Sequence, residues 1–383
     1  MRAATAHATA LAAVGVLPAF LVGALAIQLR AELGVQVAAL GIATAGLFIT
    51  TALLARFGAR VVRRAGTGWA MAIAPVLSAV ALGIGAAAPN FATLALAMVL
   101  GGAGNAIAQP VVNQRLADFV ADRWLGTAVG LKQASVPAAA LLAGLAVPVV
   151  AIVLGWRWVL AMAAVLAGGV ALVGFRVRGA VPPAHLAAGG TDRRGRLSRR
   201  TLLLITAGGF LASTVGTSVG VFFVDSAVAT GFSPGAAGSL YAGLSVVGIV
   251  TRVGLGWLGD RRPGLDSYLL VSGLLGIGVV GCLLLALGGP VGFVAGAVLS
   301  YTFGWAWPGV VHYAVTRDNR AGVAAATGVL QSGSSLGAGV GPLFFGFLVG
   351  ATSYRSGWLT AAVLGAGAAT LMALGARSAR QAG

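Results

Sequence analysis

Charged and amide side chains are scarce along this 383-residue chain, and several of them interrupt long apolar runs. Lys132, the only lysine, lies beside Gln133 in one such run. An ionisable group is costly to bury among apolar residues, so it is a candidate functional residue. Lys132 and Gln133 together offer a charge and an amide to an anionic ligand. In the alternative interpretation, the lysine side chain extends to the hydrated surface and binds nothing.

Three amide side chains, those of Asn105, Gln109 and Asn113, are spaced by four residues. This spacing places them in one stripe along one face of a helix. Hydrogen bonds to neighbouring helices would account for such amides structurally. Three on one stripe exceed that need, so we predict that they line a substrate path. Pro110 lies within the stripe and removes a backbone donor, which favours a wet cavity nearby.

An acidic side chain and two aromatic ones each have two interpretations. Asp225 lies near the end of an apolar segment, where it is either hydrated or, if buried, a group that binds and releases a coupling proton. Tyr301 and Trp305 share one apolar segment. Their rings either pack in a core or form the wall of a binding cavity, and we predict the wall.

The composition identifies lipid as the solvent of these segments. Of the residues, 58% are hydrophobic and 9% are charged, whereas a soluble domain is about 45–50% apolar and about 25% charged. The net charge of +17 would indicate nucleic-acid binding in a soluble protein. Here the basic residues fall in connections between apolar segments, which is typical of a membrane protein. We therefore predict a protein that contacts the lipid bilayer and no nucleic acid.

Twelve apolar segments are long enough to cross a membrane, which requires about 20 residues each. They lie near 8–29, 37–57, 69–88, 92–114, 127–150, 157–175, 201–224, 236–256, 267–287, 291–312, 323–349 and 357–375. The longest polar stretch, 176–200, contains Pro, Gly and several Arg residues and is predicted to be a linker. It divides the chain into a six-helix bundle over 1–175 and a second over 201–383.

The distribution of basic residues predicts the orientation. Only Arg30, Arg157 and Arg355 fall in connections on one side, and Lys132 falls inside a segment. The other basic residues lie at the termini or in connections on the opposite side. Because cytoplasmic loops carry the excess of Lys and Arg, we predict cytoplasmic termini and linker in the plasma membrane.

The two halves of the chain resemble each other. Two pairs of segments align without gaps, 41–66 with 238–263 and 130–144 with 328–342. The second alignment pairs Gln133 with Gln331, so Gln331 is also predicted to line the cavity. Duplicated halves are typical of carriers that bind a solute between two bundles.

A charged turn follows the eighth apolar segment, with the sequence GWLGDRR from Gly256 to Arg262. It resembles the signature loop of the major facilitator superfamily, which lies at the cytoplasmic end of the second helix of each half. Gly256 permits close helix approach, and Asp260 is positioned to accept hydrogen bonds from the first amides of a facing helix. Arg261 is positioned to neutralise a carboxylate or a helix C-terminus. Such contacts are worth about 0.3–1 kcal/mol, or ~2 when partly buried, which suits a gate.

The resemblance implies an all-α fold of twelve transmembrane helices in two pseudo-symmetric six-helix bundles. It also implies secondary active transport of a small-molecule substrate by alternating access. Arg252, four residues before Gly256, resembles an arginine of the monocarboxylate porters that is implicated in holding the substrate carboxylate. Other members of the superfamily use an arginine there in the gate. Lys132 and Arg252 together favour a small organic anion.

Other functions find little support in the sequence. It has no phosphate-binding loop of the G-x-x-x-x-G-K-[ST] type, no metal-ligand cluster and no paired carboxylates, so we expect no enzymatic activity, cofactor or metal. A drug or metabolite exporter exchanging with protons is one alternative, although the segment 96–104 lacks the arginine that such exporters carry. A scaffold or sensor that transports nothing is another. We expect a monomer, and H+ is a candidate coupling ion.

Overall fold

The computed structural model describes residues 2–120, 122–177, 197–262, 264–319 and 323–382. These residues form helices and short connections, with no β-strand among them. The predicted linker falls mostly on residues 178–196, which lie outside the described residues. The division into two bundles at residues 175 and 201 therefore stays a prediction, and "first half" and "second half" below refer only to position along the chain.

The first half contains α1 to α8, with a 3₁₀ turn at Asp122–Trp124 and a π-helical turn at Val147–Ala151. Their bounds are α1 Arg2–Ala24, α2 Ala26–Leu33, α3 Val37–Ala86, α4 Phe91–Phe119, α5 Leu125–Gln133, α6 Ser135–Ala146, α7 Ile152–Leu154 and α8 Trp156–Val177. The second half contains α9 to α15, with a π-helical segment at Val298–Phe303. Their bounds are α9 Arg199–Ala229, α10 Pro234–Arg261, α11 Ser267–Leu287, α12 Pro290–Ala297, α13 Trp307–Asp318, α14 Val323–Ala351 and α15 Tyr354–Ala382.

Large apolar side chains are exposed on the outside of the helices. Leu53 is 73% exposed, Val165 is 76% exposed and Val291 is 84% exposed. Contiguous apolar surface of this kind is stable only against another apolar medium. Ten helical stretches in the described residues are long and apolar enough to cross a membrane. The chain is therefore a multi-pass membrane protein.

The second and third predicted segments follow each other without a loop, as two helices that meet at Gly66 and are here labelled together as α3. The 50-residue α3 contains both the second and the third segments, and it bends at Gly66, where φ is +84° and ψ is 156°. This backbone region is essentially restricted to glycine, because a Cβ would collide with the neighbouring peptide groups. Gly66 therefore lets the chain reverse direction between two crossings without a long loop.

The predicted tenth segment is not a continuous helix. The π-helical segment Val298–Phe303 and the turn at Gly304–Ala306 separate α12 from α13. Pro308 lies in the first turn of α13, where its missing N–H leaves no hydrogen bond unmade. The fifth segment is interrupted as well, because α5 ends at Gln133 and α6 begins at Ser135. Interrupted helices occur within membranes where the freed backbone groups face protein or a wet cavity.

The two halves pack mainly along four helix pairs. α3 contacts α14, α10 contacts both α5 and α6, and α1 contacts α9. α5 and α10 cross closely at Gly126 and Gly256. A Cβ built on Gly256 would lie 3.2 Å from the Cα of Gly130, and closer still to the backbone of Gly126. Only a small residue is compatible with this crossing.

Gly66 provides a test of the bend in α3. We expect Gly66→Ala to destabilise the protein by about 1–3 kcal/mol, because alanine is strained at this φ and ψ. The measurement is the thermal unfolding midpoint of the purified protein in detergent. Gly83→Ala is the matched control in the same helix, since nothing lies within 4 Å of a Cβ there. Equal midpoints for the two variants would contradict the bend.

Candidate functional site

A cavity of about 100 Å³ lies between the two halves at the centre of the molecule. Helices α1, α3, α4, α5 and α6 of the first half line it, together with α9, α10, α13 and α14 of the second. The predicted site residues among its lining are Asn105, Gln109, Lys132, Gln133, Arg252, Trp305 and Gln331. The structure thus brings residues from both halves to one place.

The charge of the cavity lining is entirely positive. Lys132 and Arg252 are its charged residues, and no carboxylate is among the described residues that line it. Lys132 is 6% exposed and Arg252 is 3% exposed. Two cations are therefore held away from bulk water without a negative partner in the cavity.

The ammonium group of Lys132 binds one neutral partner. Nζ donates to Oδ1 of Asn113 at 2.8 Å, so the side chain is directed to α4 and does not extend to the surface. An ammonium has three donors, which leaves Nζ with further donors for a ligand. Asn113 is exposed and does not line the cavity, so it binds Lys132 from outside the cavity.

Arg252 connects two helix interruptions. Its Nη1 donates to the backbone oxygen of Gln133 at 2.9 Å, and its Nη2 donates to the backbone oxygen of Trp305 at 2.5 Å. Pro137 lacks the N–H that would otherwise bond to Gln133 O in a continuous helix. The oxygen of Trp305 is likewise outside a helix. The guanidinium satisfies both carbonyl groups and joins α5 of the first half to the second half.

The predicted amide stripe continues into α3. Nε2 of Gln109 donates to Oδ1 of Asn105 at 3.1 Å, and Nδ2 of Asn105 donates to Oγ1 of Thr51 at 3.2 Å. Both amides also line the cavity. The stripe therefore holds two helices together and also lines the cavity. Both interpretations that the sequence left open, hydrogen bonding between helices and lining of the cavity, apply to Asn105 and Gln109.

The two predicted aromatic residues occupy different layers. Trp305 lines the cavity, and its ring centroid lies 5.7 Å from that of Phe20 in the first half. Tyr301 does not line the cavity. It lies behind Trp305, with ring centroids 5.4 Å apart, and its hydroxyl is 2.8 Å from Oγ of Ser245. Tyr301 thus supports the wall that Trp305 forms.

The lining also contains residues that were not among the predicted site residues, and three of these have a polar side-chain atom without a hydrogen-bond partner among the described residues. They are Trp307, His312 and Ser334, which lie on α13 and α14. Trp307 follows the interruption of α13, which the sequence did not reveal. Ser334 lies three residues after Gln331, about one helical turn away, and this spacing was the one signal that pointed to it.

Asp260 joins the two halves at the end of the molecule where both termini lie, here called the terminal end. Oδ1 of Asp260 accepts from the backbone N–H of Gly126 at 2.7 Å, and Oδ2 accepts from Thr127 N at 2.8 Å and Thr127 Oγ1 at 2.6 Å. Trp124, the residue before α5, makes no side-chain cap. Asp260 of α10 therefore caps α5 from the other half of the chain.

Arg261 has a different environment from Asp260. The side chain is exposed, and its guanidinium lies 5.0 Å from the ring centroid of Trp257, on the same helix. The contact between the two halves at the terminal end is thus made by Asp260, while Arg261 adds positive charge at the surface.

The opposite end is closed by Asp225. Its side chain is 2% exposed, and Oδ1 lies 2.7 Å from Nη1 of Arg30. The hydroxyl of Tyr354 donates to the other carboxylate oxygen. The aspartate is therefore buried and paired, so the hydrated alternative does not describe it. Arg30 belongs to α2 of the first half, and Asp225 and Tyr354 belong to the second.

The family model for the Major Facilitator Superfamily matches residues 8–324. The chain belongs to this superfamily. Its members are membrane transporters, so this superfamily protein is a secondary transporter and not an enzyme. No curated protein sequence matches the chain.

Solved transporter structures share the fold of this superfamily member. A bacterial homologue of the human lysosomal transporter Spinster, inward-facing and occupied, aligns with a TM-score of 0.70 and 16% identity over 99% of this chain and 96% of that one. A mutant of the nucleoside transporter NupG aligns with a TM-score of 0.71 and 15% identity over 97% and 99%. The human organic anion transporter MFSD10 (TETRAN) aligns with a TM-score of 0.71 and 14% identity over 96% and 99%.

The Asp260 contact provides a test of closure at the terminal end. We expect Asp260→Ala to weaken this end by about 1–2 kcal/mol, because it removes a charged cap from α5. That change would shift the ratio of closed to open molecules by a factor of about 5–30. Spin labels at positions 123 and 262, in a Cys282→Ala background, measure the distance across this end.

Asp266→Asn is the control for this measurement. Asp266 lies six residues after Asp260 but caps α11 and pairs with Arg380, both in the second half. We expect its distance distribution to match that of the wild type. If Asp260→Ala also leaves the distribution unchanged, Asp260 does not close this end.

Proposed function

We propose that this transporter moves a small organic anion through the central cavity by alternating access. The observation that supports the anion is the pair of cations, Lys132 and Arg252, in a cavity whose described lining has no carboxylate. A cation at the centre of a membrane protein costs a few kcal/mol when it is uncompensated. A bound anion offsets this cost, whereas a cationic solute would increase it.

The rest of the lining is consistent with a small amphipathic anion. Phe20, Phe48 and Trp305 provide apolar surface beside the two cations. The volume of about 100 Å³ accommodates roughly seven to ten water-sized groups, at about 10–15 Å³ each. MFSD10, which shares the fold, is itself an organic anion transporter.

Lys132 is the residue to test. We expect Lys132→Met to abolish counterflow of a carboxylate anion in proteoliposomes. The substitution removes the ammonium group, which has N–H donors available to bind the carboxylate. Lys132→Arg is the matched variant, since it keeps the charge and is expected to retain part of the flux. The measurement is uptake of labelled monocarboxylates into vesicles preloaded with the same anion.

Three results would reject the proposal. Full anion flux in Lys132→Met would remove the role of the charge. Flux of a hydrophobic cation, with no anion flux in the wild type, would favour the exporter of drugs or metabolites, and the absence of flux for every solute would favour a scaffold or sensor.

We further propose that H+ is the coupling ion and that Asp225 binds it. In the described residues, the groups that face this carboxylate are Arg30 from α2 and Tyr354 from α15. Protonation removes the negative charge that holds Arg30, so it releases a contact between the two halves. Proton binding is thereby coupled to opening of the end opposite to the termini.

The orientation and assembly belong to the same proposal. Both termini lie in the cytoplasm and the protein lies in the plasma membrane, as the distribution of basic residues favours. A monomer is sufficient, because one chain supplies every residue that lines the cavity. The opposite end, with Asp225, then faces the exterior.

Asp225→Asn tests the coupling. The amide imitates the protonated carboxyl, so we expect anion counterflow to persist while uptake driven by a pH gradient is lost. Glu32→Gln is the control, because Glu32 is on α2 near Arg30 but accepts from Trp156 Nε1 at 2.6 Å within the first half. If uptake driven by a pH gradient survives in Asp225→Asn, the proton binds elsewhere.

A further inference from the structure

Three polar atoms at the cavity have no hydrogen-bond partner among the described residues. They are Nε1 of Trp307, Nε2 of His312 and Oγ of Ser334. Trp307 is 1% exposed and Ser334 is 9% exposed. Buried polar groups are nearly always hydrogen-bonded, and an unpaired one costs about 1–3 kcal/mol. Three such atoms beside one cavity are available to pair with water in the empty protein and with polar groups of a bound ligand.

The position of the hydrogen on His312 follows from its neighbours. Nδ1 lies 2.7 Å from the backbone oxygen of Pro308. A carbonyl oxygen only accepts, so Nδ1 carries the hydrogen and donates it. The amide nitrogen of Gln133 is 3.4 Å from the same atom, which is too long to compete.

The neutral imidazole then presents an acceptor to the ligand. With its hydrogen on Nδ1, Nε2 of His312 has a free lone pair. Gln331 lies beside this ring, yet Nε2 has no hydrogen bond, and the amide of Gln331 donates to Oγ of Ser335 at 3.2 Å. A ligand atom that pairs with Nε2 must therefore be a donor.

Trp307 and Ser334 offer the opposite partner. The indole N–H is a donor only, and a serine hydroxyl both donates and accepts. Both side chains pack near Gly209, where a built Cβ would lie 3.4 Å from Ser334 Oγ and 3.7 Å from Cη2 on the far edge of the Trp307 ring. This part of the cavity accordingly requires an acceptor on the ligand.

We propose that the transported anion carries a hydroxyl group, and that His312, Trp307 and Ser334 recognise it while Lys132 and Arg252 bind its carboxylate. The inference rests on the proposed anion transport and extends it to a substrate class, the small hydroxycarboxylates. A hydroxyl donates to His312 and accepts from Trp307 or Ser334. A keto group or a second carboxylate only accepts, so it leaves Nε2 of His312 unpaired. An unsubstituted acid leaves all three atoms unpaired.

Binding of matched acids to the purified protein tests this class. Calorimetric titration would compare lactate with pyruvate and propionate, and 3-hydroxybutyrate with acetoacetate and butyrate. We expect at least one hydroxy acid to bind tenfold or more tightly than its unsubstituted counterpart, because a site built for a hydroxyl rejects the analogue that lacks it. The oxo acid of the same set is expected to bind less tightly than the hydroxy acid.

Two variants locate the recognition. Trp307→Phe and Ser334→Ala each remove an unpaired group, and we expect each to reduce the preference for the hydroxy acid while the affinity for the unsubstituted acid stays within about twofold. Trp358→Phe is the control, because Trp358 is also buried in the second half but donates to Ser226 Oγ at 3.1 Å outside the cavity. It is expected to keep the full preference.

The outcomes separate this inference from the proposed function. If unsubstituted acids bind as tightly as hydroxy acids, the hydroxyl inference is wrong and anion transport stands. If lactamide, the neutral analogue, binds as tightly as lactate, the charge requirement fails and the anion proposal falls. If no acid of either set binds, both proposals are wrong. An unchanged preference in Trp307→Phe and in Ser334→Ala also overturns the assigned residues.

Discussion

The arrangement around the cavity depends on the buried guanidinium of Arg252. A charged group at this depth is tolerated only where polar groups surround it. Arg252 finds them in two backbone oxygens, those of Gln133 and Trp305, and each belongs to an interrupted segment. The interruptions and the arginine therefore depend on each other. In continuous helices the two backbone oxygens would bond within their own helix, and Arg252 would lack these partners. With an apolar residue at position 252, the two backbone oxygens would lack the hydrogen bonds that Arg252 donates. The same two bonds fix α5 and α13 next to the cavity, which positions Lys132 and His312.

The sequence predicted the parts of this arrangement that depend on local pattern. The apolar segments, the spacing of Asn105 and Gln109, and the capping role of Asp260 each follow from a short stretch read with helix geometry. The cap was predictable because an aspartate at the end of α10 is disfavoured by its own helix and favoured by the start of another. The superfamily resemblance implied only that Asp260 faces the start of some helix. The structure shows that this is α5, whose Gly126 and Thr127 donate to Asp260.

The remaining features depend on contacts between distant segments. Nothing in a stretch of Tyr, Phe, Gly and Trp distinguishes a π-helical segment from a regular helix. The position of Trp305 at the cavity and of Tyr301 behind it was therefore not predictable. Asn113 has the same spacing as Asn105 and Gln109 but lies beyond the cavity, where it binds Lys132. Asp225 is buried because Arg30 and Tyr354 reach it from other helices, and neither partner is near it in sequence.

The contacts at the two ends differ in chemistry in a way that fits alternating access. Asp260 binds neutral amide and hydroxyl groups at a helix start, whereas Asp225 binds a cation and a phenol. Each set adds a few polar contacts to the hydrophobic packing that joins the two halves. Between them the cavity holds two positive charges that resist dehydration when the protein closes. In the proposed anion transport, a bound anion would lower the free energy of the closed form relative to the open ones, because a ligand shifts an equilibrium by its difference in affinity for the two forms. The charges proposed to select the substrate would then also favour closure around it.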